Sequence, residues 1–217
     1  MTDKNYTHII FILDRSGSMW SVKEDTVGGF NALTKVHQEG DGKCTMSLVQ
    51  FDHEIETVYS FADVTDAEPR TLENYHPRGS TALMDAIGMT IVSEGEKLAA
   101  MEESTRPGLV ILAVLTDGRE NASKEYNKEQ ISGMIAEQQS KYNWEVTYLS
   151  ADPNAFADAQ SYGFSADTTA IFDKDNMAAG YEAVAQNSYR ARGNSTKGLD
   201  TGMDYSPAQR GSMQSSK

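Results

Sequence analysis

Residues 8 to 14 read His8-Ile9-Ile10-Phe11-Ile12-Leu13-Asp14, and the chain continues Arg15-Ser16-Gly17-Ser18-Met19-Trp20. An unbroken apolar run stopped by a carboxylate is the pattern of a strand buried on both faces, as in a parallel sheet covered by helices on either side. The stop brings oxygen-bearing residues at alternate positions, Asp14, Ser16 and Ser18. In open α/β sheets ligand sites gather at the carboxyl ends of strands, so fold and candidate chemistry meet in this stretch.

Outward from it, helices and strands alternate. Val27, Phe30, Leu33 or Thr34, and His37 follow helical spacing over residues 23–38, although Gly28 and Gly29 weaken that helix by about 1 kcal/mol each relative to alanine. Close packing against a sheet is the expected compensation. Thr45–Phe51 and Ile55–Phe61 are strand-like runs joined by only three residues, which makes them an antiparallel hairpin. Leu83, Ile87, Ile91 and Leu98 mark a helix that starts near Ser80, after Pro77 and Gly79. Leu109–Leu115 is the most apolar run and reads as a central strand ending at Thr116 and Asp117. Helix over 127–141, strand over 145–149, a short helix over 153–162, an edge strand over 168–172 and a closing helix bearing Met177, Tyr181, Val184, Ala185 and Ser188 complete the pattern. The expected fold is a doubly wound α/β domain: a mostly parallel central sheet with one antiparallel edge strand, and helices on both faces.

The 217 residues allow one domain with a tail. The domain is expected over 1–192. Residues 193–217 are rich in Gly and Ser with few large apolar side chains, the composition of a flexible tail. The net charge of −13 opposes sequence-independent binding to nucleic acid or anionic membranes. Cys44 is the only cysteine, which excludes an intrachain disulfide and a thiolate zinc cluster. The run Ile9–Leu13 is too short for a signal peptide and no run of 18 apolar residues occurs, so the expectation is a soluble cytoplasmic protein.

The strand-end rule selects three places, the Asp14–Ser18 loop, the helix start at Thr81, and Asp117. All offer hard oxygen donors, which suit Mg²⁺, with Mn²⁺ or Ca²⁺ as alternatives. Two carboxylates balance a divalent ion, and a vacant coordination position would accept a carboxylate from a partner protein. At Ile9–Met19, Gly79-Ser80-Thr81-Ala82-Leu83 and Leu115-Thr116-Asp117-Gly118, the chain resembles the von Willebrand factor A (VWA) family. That family's metal-ion-dependent adhesion site (MIDAS) is D-x-S-x-S with a distant Thr and a distant Asp. Carried over by motif, these are Asp14, Ser16, Ser18, Thr81 and Asp117. The resemblance implies a stand-alone module of the intracellular bacterial or viral type, binding protein through metal without catalysis. Relatives of this type are often linked to AAA+ ATPases or macromolecular assemblies.

Other readings stay open at this level. Ser16 and Ser18 also suit a turn and a helix cap, and Asp117-Gly118 suits a turn. Trp20 is either an aromatic anchor on the site's rim or a core residue, and Asp85 either a solvated helix residue or a support for the site. The four histidines show no pairing at metal-ligand spacing. A scaffold role within a larger assembly, with the metal only stabilising, is the alternative function. An Asp14-based phosphotransferase is a weaker one, since D-x-D is absent and no lysine follows the strand ending at Leu149.

Overall fold

The computed structural model describes residues 1–214. Six strands form one sheet, β1 (Asp3–Asp14), β2 (Lys43–Phe51), β3 (Ile55–Asp63), β4 (Pro107–Thr116), β5 (Glu145–Ser150) and β6 (Thr169–Ile171). They lie in the order β3-β2-β1-β4-β5-β6, and only the β2–β3 hairpin is antiparallel. The helices are α1 (Lys23–Gln38), α2 (Leu83–Ala100), α3 (Lys128–Tyr142), α4 (Ala155–Ser161), α5 (Met177–Lys197) and α6 (Pro207–Ser212).

Two apolar layers, one on each face of the sheet, explain the unbroken apolar runs. Successive side chains of a strand alternate between faces. Ile9, Phe11 and Leu13, with Leu109, Ile111, Ala113 and Leu115, pack into the layer shared with Phe30, Leu33, Tyr181 and Val184 of α1 and α5. Ile10 and Ile12, with Val110, Leu112 and Val114, pack into the layer of Leu83, Ile87, Ile131 and Ala159 from α2, α3 and α4. Leu13 pairs with Leu115, so the carboxyl ends of β1 and β4 finish side by side.

The glycine pair of α1 serves a helix contact rather than a sheet contact. A Cβ on Gly29 would stand 2.7 Å from the Tyr181 ring of α5, whereas one on Gly28 would meet nothing within 4 Å. A buried polar link between these helices runs through His37. The Arg192 guanidinium, which has only donors, points Nη1 at His37 Nδ1 (3.2 Å), so Nε2 carries the proton and donates to Ser188 Oγ (2.9 Å).

The largest departure from expectation lies beyond residue 192. Helix α5 continues to Lys197 and stops at Gly198, whose φ is +66°. Residues 199–214 then fold back along the β6 edge of the sheet. Met203 and Met213 are fully buried, Tyr205 nearly so, and the Tyr205 hydroxyl bonds Thr147 Oγ1 (2.8 Å). Arg210 donates to the Thr169 carbonyl of β6 (2.7 Å) and to those of Ala166 and Asp167 in the loop before it (both 2.8 Å), covering backbone acceptors at the sheet's edge. Three large buried side chains, one arginine and further bonds such as Thr201 Oγ1 to Glu145 and Gln209 Nε2 to Asn187 anchor a segment of otherwise polar composition. Ser206, Pro207 and Gln209 start α6 with a capping box. The last three residues of the expected tail, 215–217, lie outside the described residues.

Burial, followed by the charge of Arg192, holds the His37 pKa down at about 3. In the unfolded chain it returns to roughly 6.5. Between those values the unfolded state binds a proton that the native state refuses, so this stability is intact above pH 6.5 and is lost as pH falls toward 3. The slope reaches about 1.4 kcal/mol per pH unit. Urea unfolding of wild type should therefore weaken from pH 7.5 to pH 5 more steeply than that of His37→Gln, which has no proton to take up.

Candidate metal centre

The matched ends of β1 and β4 set the floor of the site. Asp14 ends β1 with no exposure to solvent. Its Oδ1 accepts the Ser16 N–H (2.6 Å), its Oδ2 the Thr116 hydroxyl (2.5 Å), and its carbonyl the hydroxyl of the buried Tyr75 (2.5 Å). Burial raises the Asp14 pKa to about 6. The hydrogen bonds from Thr116 and Ser16 oppose that rise, and the neighbouring Asp117 charge adds to it.

The loop after β1 turns back over this carboxylate. Gly17 N–H donates to the Gly79 carbonyl (3.1 Å) and Arg78 N–H to the Arg15 carbonyl (2.8 Å), which ties the loop to the segment carrying Thr81. Gly79 has φ +66°, and a Cβ there would lie 2.2 Å from His53 Nδ1, so only glycine fits. Ser16 Oγ then lies 3.0 Å from Ser18 Oγ, and Ser18 Oγ donates to Asp117 Oδ1 (2.5 Å).

Thr81 is placed by the loop after β4. Its N–H donates to Asn121 Oδ1 (2.8 Å), and its carbonyl accepts from the N–H groups of Asn121 (2.9 Å) and Ala122 (3.2 Å). The position that a Cβ on Gly118 would take lies 3.2 Å from Ser18 Oγ, 3.4 Å from Thr81 Oγ1 and 3.6 Å from Asp14 Oδ2. All five sequence-selected side chains thus meet in one place, around a cradle walled by oxygen atoms. That donor set fits a hard divalent cation. A cationic group already sits at its margin, since Lys174 Nζ donates to Asp117 Oδ2 (2.7 Å).

No sequence-family model matches the chain, and no curated protein sequence does. Solved structures do. Proximal thread matrix protein 1 of the mussel byssus, in a structure described as having a zinc-occupied MIDAS motif, superposes with a TM-score of 0.56 at 15% identity, over 87% of this chain and 47% of that one. Manganese-loaded TRAP protein of Plasmodium vivax gives 0.54 at 14% identity, over 81% and 72%. A von Willebrand factor type A structure from Catenulispora acidiphila gives 0.51 at 12%, over 88% and 42%. The chain has the VWA fold. It spans less than half the length of the mussel and Catenulispora chains.

Within this VWA fold several residues take roles that the sequence left open or hid. Trp20 is 60% exposed, which removes it from the core, and the Lys23 ammonium lies 5.1 Å from the centre of its ring. Asp85 is buried rather than solvated. Its carboxylate accepts the N–H groups of Lys124 (2.8 Å), Glu125 and Tyr126 (both 2.9 Å), fastening the loop that holds Thr81. Lys174, from the turn between β6 and α5, joins the site without belonging to any motif; its one signal in the sequence is a lysine three residues past a strand end, on the edge where the other site residues gather.

A second group of possible ligands, Asp52, His53 and Glu54, has donor atoms within 4.8 Å of one another. Asp52 Oδ2 is already claimed by Arg15 Nε (3.0 Å) and Arg78 Nε (2.8 Å), and the same arginines pair with Glu56 and Glu54. Burial alone would raise the Asp52 pKa, yet the bonds from Arg78 and Glu54 N–H and the charge of Arg15 bring it below the usual value. These carboxylates serve ion pairs.

Asp85→Ala should lower stability by about 2 kcal/mol or more, because three backbone donors lose their acceptor. Denaturant unfolding measures the loss, and amide exchange should speed up across residues 118–127.

Proposed function

We propose that the chain is a non-enzymatic, metal-dependent protein-binding module. In this reading Asp14, Ser16, Ser18, Thr81 and Asp117 hold Mg²⁺, and a partner's Asp or Glu carboxylate completes the coordination. The observation that carries the proposal is the convergence of five oxygen-bearing side chains from three loops on one cradle. Metal-bearing structures of the same fold support the choice of a divalent ion.

Bound metal would supply Lewis acidity toward an incoming carboxylate. The chain's own residues do the rest. The hydroxyls of Ser16, Ser18 and Thr81 are neutral ligands, so the two carboxylates balance a divalent ion without over-neutralising it. Trp20 stands exposed two residues from Ser18 and offers apolar area to a partner, the kind of side chain that dominates binding energy at interfaces. The recognised surface is an acidic residue beside an apolar one, on a partner of the AAA+ ATPase or macromolecular-assembly class.

Catalysis has little support. Both Asp14 oxygens are engaged as acceptors and the side chain is buried, a poor presentation for attack on a phosphoryl group. His8 and His37 are fully buried in hydrogen-bonded networks, and His53 rests against Asp52 (3.1 Å). No helix among the described residues is long and apolar enough to cross a membrane.

Calorimetric titration with Mg²⁺ should show one site in wild type, weakened about tenfold or more by Thr81→Ala and abolished by Asp14→Ala. A partner recovered with Mg²⁺ should leave on chelation, and Trp20→Ala should cost about 2 kcal/mol of that binding without altering metal affinity. A partner that stays bound under chelation, with Asp14→Ala only lowering stability, would instead favour the scaffold role.

A further inference from the structure

Among the described residues Lys174 is the one ammonium on the carboxylates of the site, and it is held there from both directions along the chain. On its amino-terminal side, the Asp173 N–H donates to the Met213 carbonyl (2.8 Å), and Gln214 Nε2 donates to the Ile171 carbonyl (2.8 Å). On its carboxyl-terminal side, the Asn176 N–H closes the turn onto the Asp173 carbonyl (2.7 Å) and α5 begins at Met177. The returning segment of residues 199–214 therefore fixes the turn that presents the lysine. The side chain itself is 44% exposed, whereas the Asp117 side chain it meets is wholly buried.

The Asp117 carboxylate is divided between two partners, Oδ1 taking the Ser18 hydroxyl and Oδ2 the ammonium. Without a cation the site would hold two neighbouring carboxylates in a desolvated place, a costly arrangement that one positive charge relieves. A divalent ion bound to Ser18 and Asp117 would stand within a few ångströms of that ammonium, and like charges at such range repel strongly in a partly buried setting. The lysine has a cheap way out, because its compact charge rides on a flexible four-carbon stem that already reaches water.

We propose that Lys174 is a tethered counter-cation: it neutralises Asp117 when no metal is bound, competes with the divalent ion for that carboxylate, and so sets the affinity of the site. The inference rests on the metal-binding reading above. It makes the centre a weak cation site by construction, loaded only when the ion concentration is high enough to displace the ammonium.

The test is calorimetric titration of the full chain with Mn²⁺ and with Mg²⁺, for wild type, Lys174→Met and Lys141→Met. Lys141 pairs with Glu137 (2.8 Å) near the end of α3, and controls for the change in net charge. Lys174→Met should bind both ions about tenfold more tightly, Lys141→Met should match wild type, and saturating metal should speed acylation of Lys174 in wild type by an amine-reactive ester. Equal affinity in wild type and Lys174→Met, or equal gains in both lysine variants, would overturn the competition while leaving the metal site standing. Absence of binding in every protein would overturn both.

Discussion

Asp14 is a carboxylate with no access to water, placed at the end of a central strand whose two faces are both covered by helices, and the surrounding loops follow from its burial. An ion in such a position is tolerated only with donors on its oxygens. The Thr116 hydroxyl comes from the β1–β4 register, the Ser16 N–H from a turn pinned by the Gly17–Gly79 and Arg78–Arg15 backbone bonds. Asp117 then adds a second carboxylate to the same edge, with the Ser18 hydroxyl on one oxygen and the Lys174 ammonium on the other. Sheet register, loop closure and charge balance are thus aspects of one problem, that of keeping two acids together where water does not reach.

The strands and helices were legible because burial repeats locally. The run His8–Leu13 carries its two-sided burial in its composition, and α1 was anticipated at Lys23–Gln38 from the spacing of Phe30, Leu33 and His37. After residue 192 composition misleads, because it averages over a stretch, whereas anchoring depends on particular contacts. Met203, Tyr205 and Met213 are widely spaced, and Arg210 acts through backbone carbonyls more than 40 residues away. The glycines of α1 illustrate the same limit. Their cost was visible, but that Gly29 admits the Tyr181 ring of α5 depends on how two distant helices cross.

In the site, the ligand-type residues stood out because they are oxygen donors at strand ends, a rule of position that needs no partner to be known. Of the residues that hold them, only Asp85 is a candidate for that role in the sequence, and there it also reads as a solvated helix residue. Asp85 acts on the loop at 124–126, the Asp52 cluster is neutralised by Arg15 and Arg78, and Lys174 reaches Asp117 across 57 positions. Each pairing joins groups that look like ordinary surface charges when read along the chain. Trp20 shows the converse: its neighbours Met19 and Val22 are buried, so hydrophobicity alone could not place it, and only the 3-10 turn over Gly17–Val22 turns it outward.

The central claim is that the oxygen cradle beside Gly118 holds a divalent cation. Diffraction from crystals of the full chain soaked in Mn²⁺, recorded at the manganese absorption edge, tests it most directly. The account predicts one anomalous peak bounded by Asp14, Ser16, Ser18, Thr81 and Asp117, with the Lys174 ammonium moved off the Asp117 carboxylate. A peak at Asp52, His53 and Glu54 instead, or none at the cradle with its five side chains in place, would contradict it.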